Sequence, residues 1–290
     1  MDNPKFLVVT VTRNDGILLK RLAKSIINQT LIPDEWIIVC DSSVDGTEKI
    51  MRNIIDTNDW IGLVSNSGFQ DVESRGERIS RLFTYGINCS TTNWNFCSKI
   101  DADMELKPNY FEKIYAKFSE NPSLGIASGN CVIRTQRGER METVTPGHTR
   151  GGLKTYRRGC FEDINGIDPV DGWDTIDNVR AEISGWMTEN FKEILVFHAR
   201  PTGSRAGLIK TSYNEGKKAH FLGYHPAYLF LRATHRSFSR PILIAGFAML
   251  VGFIISKISF SPRIEDSAVS GRIRDRHISR LTFGLFPRGR

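Results

Sequence analysis

Short apolar runs alternate with polar loops through the first 200 residues. The runs at 6–11 and 36–39 are rich in β-branched residues and carry no charge, a pattern typical of strands buried on both faces. A polar loop and then apolar residues at helical spacing follow each run, which predicts helices at about 19–26 and 50–55. Repeated strand, loop and helix units predict a doubly wound, mostly parallel α/β sheet.

The same alternation continues along the chain. Further strands are expected at 63–64, 94–100, 125–133, 153–157 and 194–197. Further helices are expected at 77–89, 111–118, 161–167 and 176–183. The segment 134–152 is polar and has no usable period, so we expect a loop over the site there.

An uncharged apolar segment, 241–256, lies between Arg240 and Lys257. As a helix its sixteen residues rise only about 24 Å, which is short of a hydrocarbon core of about 30 Å. We expect a membrane-attached helix that is interfacial, re-entrant or a short membrane span. The alternative is a helix that packs on the rest of the chain or on a partner subunit.

The charge is unevenly distributed. The net charge is +7, and residues 198–290 contain 16 Lys and Arg against 4 Asp and Glu. This basic part predicts an anionic partner such as phosphates or anionic lipid. Nucleic acid is not expected, because no nucleic-acid-binding fold accompanies the arginines.

Five scattered cysteines without a CxxC pair indicate a reduced, cytosolic setting and make a zinc site unexpected. The first fifteen residues begin directly with a strand pattern, and no secretory signal is expected.

Two carboxylates end the strand expected at 94–100. Asp101 and Asp103 are two residues apart, so an extended backbone directs both side chains from the same face. Ligand sites of open α/β sheets lie at such strand ends, and paired carboxylates suit Mg²⁺ or Mn²⁺. A solvated strand end before a turn is the alternative.

Four segments, in order and spacing, resemble the family 2 glycosyltransferases, which have the GT-A fold. They are Thr12-Arg13-Asn14, the strand-end segment 41–47 (DSSVDGT), Asp101-Ala102-Asp103 and Gly172-Trp173-Asp174. Two departures stand out. Trp173 replaces the usual acid of a Gly-Glu-Asp segment, and residues 83–86 do not match the arginine–asparagine pattern that the family has before its metal motif.

The resemblance implies a donor site at the strand ends. Asp41 would bind the nucleoside of a nucleotide-sugar, with Thr10, Thr12 and Arg13 around the base. Either Arg78 or Arg81 would approach the nucleotide. A cap or turn role for Asp41 is the alternative.

The resemblance also implies a metal site. Asp103 would bind a divalent Mn or Mg ion directly, and Asp101 would lie nearer the ribose or a metal-bound water. His198 follows a buried strand and is a candidate third ligand, although a structural histidine is the alternative. Arg200 and Arg205 would grip the diphosphate, unless they belong to a solvated basic loop.

Asp174 is the candidate catalytic base. Inverting transfer needs one carboxylate that takes the proton of an acceptor hydroxyl during its attack on the anomeric carbon. A helix N-cap role, with Asp177 favoured by the helix dipole, is compatible with that assignment.

The resemblance, together with the charge and hydropathy patterns of the last third, divides the chain into parts. Residues 1–205 would be the catalytic domain, with a nucleotide-binding half at 1–100 and a metal and acceptor half at 101–205. A basic, aromatic, helical region at 206–240, a membrane-associated helix at 241–260 and a flexible basic tail at 261–290 would follow.

The expected activity is metal-dependent, inverting transfer of a sugar from a UDP- or GDP-linked donor. The acceptor would be a hydroxyl of a glycan or lipid-linked glycan at the cytosolic face of the cell membrane, as in building an envelope polysaccharide precursor. A polyprenyl-phosphate sugar synthase is the alternative within the enzyme class. A non-catalytic membrane-docking scaffold is the alternative outside it.

Overall fold

The computed structural model describes residues 4–66, 68–69, 71–72, 74–135, 138–142, 144, 147–200, 207–238 and 243–282. The chain divides into two compact units, Met1–Arg200 and Pro201–Arg290.

The described part of the first unit contains nine strands in one sheet. The strands are β1 (Phe6–Thr12), β2 (Glu35–Asp41), β3 (Ile61–Asn66), β4 (Phe96–Lys99), β5 (Met104–Glu105), β6 (Leu124–Thr135), β7 (Gly138–Met141), β8 (Thr155–Arg157) and β9 (Met187–His198). The helices are α1 (Gly16–Ile27), α2 (Thr47–Ile55), α3 (Arg75–Asn88), α4 (Tyr110–Glu120), α5 (Arg158–Asp163) and α6 (Trp173–Ile183).

The sheet has the order β3-β2-β1-β4-β8-β6-β9-β5, and β7 pairs with β6. Strands β3, β2, β1 and β4 are parallel, as the strand–helix alternation predicts. Strand β6 pairs in parallel with β9, whereas β8 and β5 join their neighbours antiparallel. The predicted α/β class is confirmed.

Both faces of the sheet are buried, which explains the continuous apolar runs. Successive side chains of a strand point to opposite faces. On β1, Phe6 and Val8 belong to the apolar cluster that also contains residues of α1 and α4. Leu7 and Val9 belong to a second cluster, which contains residues of α3 and α6.

The parallel strands bring their carboxyl ends to one edge. In the register, Thr12 lies beside Cys40, so the ends of β1 and β2 at Thr12 and Asp41 are neighbours. Met104 of β5 lies opposite His198 of β9, which places the carboxylates before β5 next to the end of β9. The fold therefore gathers residues from four separate stretches of sequence.

The expectation of a loop at 134–152 is partly wrong. Residues of β7 pair antiparallel with the end of β6, from Thr135↔Gly138 to Val132↔Met141. All four residues of β7 are exposed, so no alternation between buried and exposed positions marks the strand. Strand β9 also begins seven residues before the predicted 194–197, because its first half is polar and only partly buried.

The second unit is helical within the residues described. Its helices are α7 (Leu208–Phe221), α8 (Pro226–Ser237), α9 (Ile244–Ile258) and α10 (Ser267–Leu281). Glycines allow α9 to approach its neighbours closely. A Cβ added at Gly252 would lie 2.1 Å from the Tyr213 carbonyl oxygen of α7, and one at Gly216 would lie 2.0 Å from that of Met249.

The apolar segment predicted at 241–256 thus contains a helix that is partly buried inside its own unit. Phe253 and Met249 are buried, whereas Phe247 and Ile258 are exposed. Within the described residues, no helix combines the length and apolar composition needed to cross a membrane.

The expectation of a flexible tail at 261–290 is wrong for α10. Asp266 caps this helix by accepting a hydrogen bond from the Val269 backbone nitrogen at 3.0 Å. Val269, Ile273 and His277 recur every four residues and form its buried face. The arginines between them hide this pattern. Residues 283–290 lie outside the described part of the chain.

Candidate active site

Asp41 forms the first part of the site, at the end of β2. Its side chain is only 5% exposed, and its Oδ1 accepts a hydrogen bond from Arg78 Nη2 at 2.6 Å. Arg13 Nη1 lies 3.9 Å from Oδ2 and is half-exposed. Three of the predicted nucleotide-binding residues therefore lie together at this strand end.

Two polar atoms beside this ion pair have no hydrogen-bond partner. Thr12 Oγ1 and Arg78 Nε are both buried and unsatisfied among the described residues. Buried polar groups are normally hydrogen-bonded, because leaving one without a partner costs about 1–3 kcal/mol. A polar ligand bound against Asp41 would supply partners for both atoms.

Two predicted nucleotide contacts are not at this position. Thr10 is fully buried, and its Oγ1 accepts a hydrogen bond from Trp36 Nε1 at 3.0 Å, so its side chain belongs to the core. The prediction that Thr10 lines the base pocket is corrected accordingly. Arg81 pairs instead with Glu77 of its own helix, at 2.9 Å. Of the two candidate arginines of α3, Arg78 reaches Asp41.

Asp103 forms the second part of the site. Its Oδ1 lies 3.6 Å from His198 Nε2, and its Oδ2 accepts hydrogen bonds from Arg200 Nε at 3.0 Å and Nη2 at 2.8 Å. Burial raises the pKa of Asp103, but His198 and Arg200 outweigh it and hold the pKa well below its usual range. Arg200 also donates to Asp15 Oδ1 at 2.7 Å. Asp15 is a member of the site that the sequence analysis missed.

His198 lies between two carboxylates. Its Nδ1 is 3.0 Å from Glu142 Oε2, and Arg150 Nη1 donates to the same oxygen at 3.0 Å. Burial lowers the pKa of His198, but hydrogen bonds to Asp103 and Glu142 outweigh this effect and raise the pKa to about 9. The imidazole is therefore positively charged at neutral pH, in a place that favours cations.

Asp103 and His198 fit a divalent cation. A carboxylate oxygen and an imidazole nitrogen are suitable ligands for manganese. Glu142 holds Nδ1, which turns Nε2 toward Asp103, as hydrogen-bonded carboxylates do for many metal-binding histidines. A bound cation would take the place of the proton that the His198 imidazole carries on Nε2, on the side of Asp103.

A second group of potential ligands overlaps this site. One ligand atom each of Cys131, Glu142 and His198 lies within 4.8 Å of the others. Burial raises the pKa of the Cys131 thiol to about 12. A protonated thiol is a poor ligand, so the oxygen and nitrogen donors are the better match.

Asp101 lies against a buried lysine. Lys99 Nζ donates to Asp101 Oδ1, and the Lys99 side chain is only 1% exposed. The Asp101 side chain is about one-third exposed. The two acids of the motif therefore have different partners: Asp101 faces a buried ammonium, and Asp103 faces His198 and Arg200.

Asp174 lies in the first turn of α6, next to two consecutive glycines. A Cβ at Gly151 would lie 3.3 Å from Asp174 Oδ2, and one at Gly152 would lie 2.8 Å from Asp101 Oδ2. The Gly151–Gly152 backbone thus runs between the candidate base and the acidic motif. The Asp174 carboxylate is about one-third exposed and lies 3.9 Å from His148 Nε2.

A buried polar network, which sequence reasoning missed, supports Asp174. Lys154 Nζ donates to the Asp174 carbonyl oxygen at 2.7 Å and to Asp177 Oδ1 at 2.5 Å. Tyr156 donates to the other oxygen of Asp177 at 2.6 Å. Asp177 is therefore a buried ion-pair partner and not only a residue favoured by the helix dipole.

Trp173 occupies the position where an acid was expected. It is buried, and the ammonium groups of Lys99 and Lys154 lie 5.5 and 5.4 Å from its ring centroid. Both contacts are within cation–π range. Lysines in otherwise apolar strands were the available signal for this network.

Arg205 lies outside the described residues, so its predicted phosphate contact stays a prediction.

Comparison with known proteins identifies relatives of this fold. A model of the family described as Glycosyl transferase family 2 matches residues 7–170, more than half of the chain. A search of curated proteins found no match.

Solved structures that resemble the chain include the following three. The mannosyltransferase PcManGT from Pyrobaculum calidifontis, in complex with GDP-Man and Mn²⁺, is 15% identical with a TM-score of 0.58, over 99% of this chain and 82% of that one. S. aureus TarS 1-349 is 14% identical with a TM-score of 0.54, over 89% and 72%. GalNAc-T7 with UDP, GalNAc and Mn²⁺ is 15% identical with a TM-score of 0.61, over 98% and 59%. At this identity the likeness supports the GT-A fold.

Proposed function

The chain belongs to glycosyl transferase family 2, and we propose on this premise that it is a divalent-metal-dependent, inverting transferase that uses a nucleotide-sugar donor. The donor is a UDP- or GDP-linked sugar, and the acceptor is a hydroxyl of a glycan or lipid-linked glycan. The observation that carries the proposal is the Asp103–His198 pair, with 3.6 Å between a carboxylate oxygen and an imidazole nitrogen.

The nucleoside would bind at Asp41. Its carboxylate accepts hydrogen bonds from ribose or base groups, and the unsatisfied Thr12 hydroxyl and Arg78 Nε provide further polar contacts. Structures of two neighbours contain GDP-Man or UDP. Screening GDP- and UDP-linked sugars would therefore identify the nucleotide and the sugar of the donor.

Asp103 and His198 would hold the cation, with Asp101 close by. A bound divalent cation supplies positive charge that stabilises the departing nucleoside diphosphate. Arg200 already binds Asp103 and Asp15, and its guanidinium can exchange these carboxylates for phosphate oxygens.

Asp174 would act as the base. Its carboxylate takes the proton of the acceptor hydroxyl while the hydroxyl oxygen forms the bond to the anomeric carbon. The bond from that carbon to the diphosphate oxygen breaks, and the electron pair leaves with the nucleoside diphosphate. Attack from the opposite face inverts the anomeric configuration. The partly exposed position of Asp174 next to Gly151 leaves the carboxylate accessible to an acceptor.

A polyprenyl-phosphate acceptor is the second candidate. A phosphate acceptor is already anionic and needs no base, so transfer to it would survive loss of the Asp174 carboxylate. Transfer to a hydroxyl would not. The activity that remains after loss of the Asp174 carboxylate therefore distinguishes a phosphate acceptor from a hydroxyl acceptor.

We also propose that the second unit contacts anionic lipid at the cytosolic face of a membrane. Exposed aromatic and aliphatic side chains on α8 and α9 accompany the strong excess of basic residues in 198–290. The exposed set on these helices and directly next to them comprises Phe230, Leu231, Phe238, Leu243, Ile244, Phe247, Ile254, Ile255, Ile258 and Phe260. Apolar residues flanked by basic ones favour the interface of an anionic membrane.

A thermal-shift screen separates the enzyme from a non-catalytic scaffold. Nucleoside diphosphates are tested with Mn²⁺ and with excess chelator. The enzyme is stabilised by at least one diphosphate in the presence of Mn²⁺ only, because ligands of the folded state raise its stability. No stabilisation by any of them would favour the scaffold.

A further inference from the structure

The second unit contains a cavity that the transfer reaction does not use. Its volume is 270 Å³, far above the roughly 15 Å³ that one water molecule requires. Its lining joins the end of α7, the turn before α8, the end of α9, the segment between α9 and α10, and one residue of α10. The basic and imidazole side chains of the lining are those of His220, His225, Lys257, Arg263 and Arg274.

The lining has three permanent positive charges and no carboxylate. In the part of the chain that the structure describes, Lys257, Arg263 and Arg274 form no ion pair with an acid, whereas Arg232 and Arg236 of α8 share Glu215. Unpaired cations around a concave surface repel one another unless an anion lies between them. This cavity is therefore suited to a negatively charged ligand.

His220 lines the cavity and carries a buried hydrogen-bond donor. The residue is only 3% exposed, and its Nε2 accepts a hydrogen bond from Arg263 Nε at 3.4 Å. Burial, followed by Arg263 and Lys257, lowers the pKa of His220, so the ring is neutral and its proton lies on Nδ1. That buried Nδ1 has no partner among the described residues. A buried donor of this kind needs an acceptor that the chain does not supply.

The turn between α7 and α8 shapes the opposite wall. Gly223 has a φ of +69°, which favours glycine, and its carbonyl oxygen accepts a hydrogen bond from Arg274 Nε at 3.0 Å. This bond fixes the guanidinium and leaves its terminal nitrogens for an anion. His225 is also a lining residue, and its buried Nδ1 has no partner among the described residues.

We infer that this cavity binds a phosphate monoester, with His220 Nδ1, Lys257, Arg263 and Arg274 as donors. Three cations and a neutral imidazole donor match the charge and the several acceptor oxygens of a dianionic phosphate better than a singly charged diester. Phosphorylated lipid and soluble phosphate share this chemistry. The exposed Ile254 and Ile258 lie on α9 beside Lys257, so an acyl chain would find apolar surface next to the cavity.

Nitrogen NMR of the imidazole rings of the full-length chain tests the inference directly. Inorganic phosphate and glycerol 3-phosphate are titrated in, and the His220 signals are assigned from their loss in His220→Phe. We expect the Nδ1 signal of His220 to shift in a saturable manner. Absence of any shift with both probes would overturn the inference. The His220 signal reports on the ring that lines this cavity, so the readout is specific to it.

Affinity measurements with variants provide the second test. Lys257→Gln and Arg263→Gln are each expected to weaken binding of glycerol 3-phosphate at least tenfold, as followed by the His220 shift. Lys217→Gln removes the same charge from an exposed position on α7 and serves as the matched control. Equal affinity of the wild type and both cavity variants would refute the assignment. Both cavity variants change residues with exposed side chains, so neither alters the buried core of the unit.

Vesicle flotation then identifies the source of the phosphate. Phosphatidylcholine vesicles contain either phosphatidic acid, a monoester, or phosphatidylglycerol, a diester, at equal surface potential. Preferential recovery with phosphatidic acid that Lys257→Gln abolishes and Lys217→Gln retains identifies a lipid ligand. Equal recovery with the two lipids, together with the NMR shift, identifies soluble phosphate. Sugar transfer is not measured in any arm, so these results stand apart from those on the donor site.

Discussion

Glu142 holds the His198 ring in place, with 3.0 Å between Glu142 Oε2 and His198 Nδ1. The opposite ring nitrogen consequently faces Asp103 Oδ1 at 3.6 Å. Glu142 is itself fixed by Arg150 at 3.0 Å. A contact between the segment after β7 and the end of β9 thus sets the geometry of the proposed metal ligands.

Loss of the Glu142 carboxylate should weaken metal binding. Glu142→Gln removes the charged acceptor that orients His198, and outer partners of this kind are worth about 10- to 100-fold in metal affinity. Titration of Mn²⁺ followed by electron paramagnetic resonance measures the effect without turnover. Glu139→Gln, at an exposed position of β7, is the control. Unchanged Mn²⁺ affinity of Glu142→Gln would show that Glu142 does not position the ligand.

Loss of the Asp174 carboxylate should reduce catalysis but not donor binding. Asp174→Asn cannot accept the hydroxyl proton, and general-base catalysis typically contributes about 10²- to 10⁴-fold. We expect a fall of this size in kcat for a hydroxyl acceptor, with nucleoside diphosphate affinity near that of the wild type. Glu162→Gln changes an exposed carboxylate on α5 as a control. Full turnover of Asp174→Asn would mean that another group is the base.

Removing only one partner of the buried Lys154–Asp177 pair should strongly lower the stability of the fold. Both side chains are at most 1% exposed. Lys154→Met leaves the Asp177 carboxylate buried without its cation, which should lower the free energy of unfolding by about 3–5 kcal/mol. The double variant with Asp177→Asn should recover much of this loss. Urea denaturation of the single and double variants measures both values, and equal loss in the two would argue against an uncompensated charge.

Acid should destabilise the second unit through His277. Burial, followed by Arg280 and Arg232, lowers the pKa of this histidine to about 3. The unfolded chain binds a proton below about pH 6.5, so between that pH and about 3 the unfolded state binds more protons. The free energy of unfolding therefore falls as the pH falls, by at most about 1.4 kcal/mol per pH unit from this group.

The variant His277→Phe isolates this effect. The His277 ring stacks on Tyr228 with centroids 3.9 Å apart, and phenylalanine retains an aromatic ring there. Urea unfolding followed by helical circular dichroism at pH 7 and pH 4.5 should show a smaller loss on acidification in the variant. The same loss in both proteins would assign the acid sensitivity to other groups.

The strands of the parallel half were predictable because burial on both faces produces apolar runs without interruption. Residues 6–11 and 36–39 fall inside β1 and β2, and the chemistry at the strand ends followed from their position. The exposed strand β7 was not predictable from hydrophobicity, since main-chain hydrogen bonds to β6 hold a polar segment. Glu142, which follows that strand, was missed for the same reason.

Side-chain hydrogen bonds and ion pairs distinguish predicted nucleotide-binding residues that the sequence leaves equivalent. Thr10 and Thr12 are two residues apart on β1, yet Thr10 is bound to Trp36 and Thr12 is unsatisfied. The one-turn spacing of Arg78 and Arg81 likewise gave no preference until Glu77 was seen to hold Arg81. The Trp36–Thr10 and Arg78–Asp41 contacts join distant segments, so a single sequence does not encode them in a readable pattern. The Glu77–Arg81 pair, four residues apart on one helix, was readable from the sequence.

The most direct test of the central claim is release of nucleoside diphosphate from a panel of UDP- and GDP-linked sugars. The wild type and Asp103→Asn are compared with Mn²⁺ and with excess chelator. We expect release from at least one donor by the wild type with Mn²⁺, and a loss of about 100-fold or more in chelator and in Asp103→Asn, a scale set by the stabilisation of developing charge. Release that persists unchanged in both conditions would contradict this expectation.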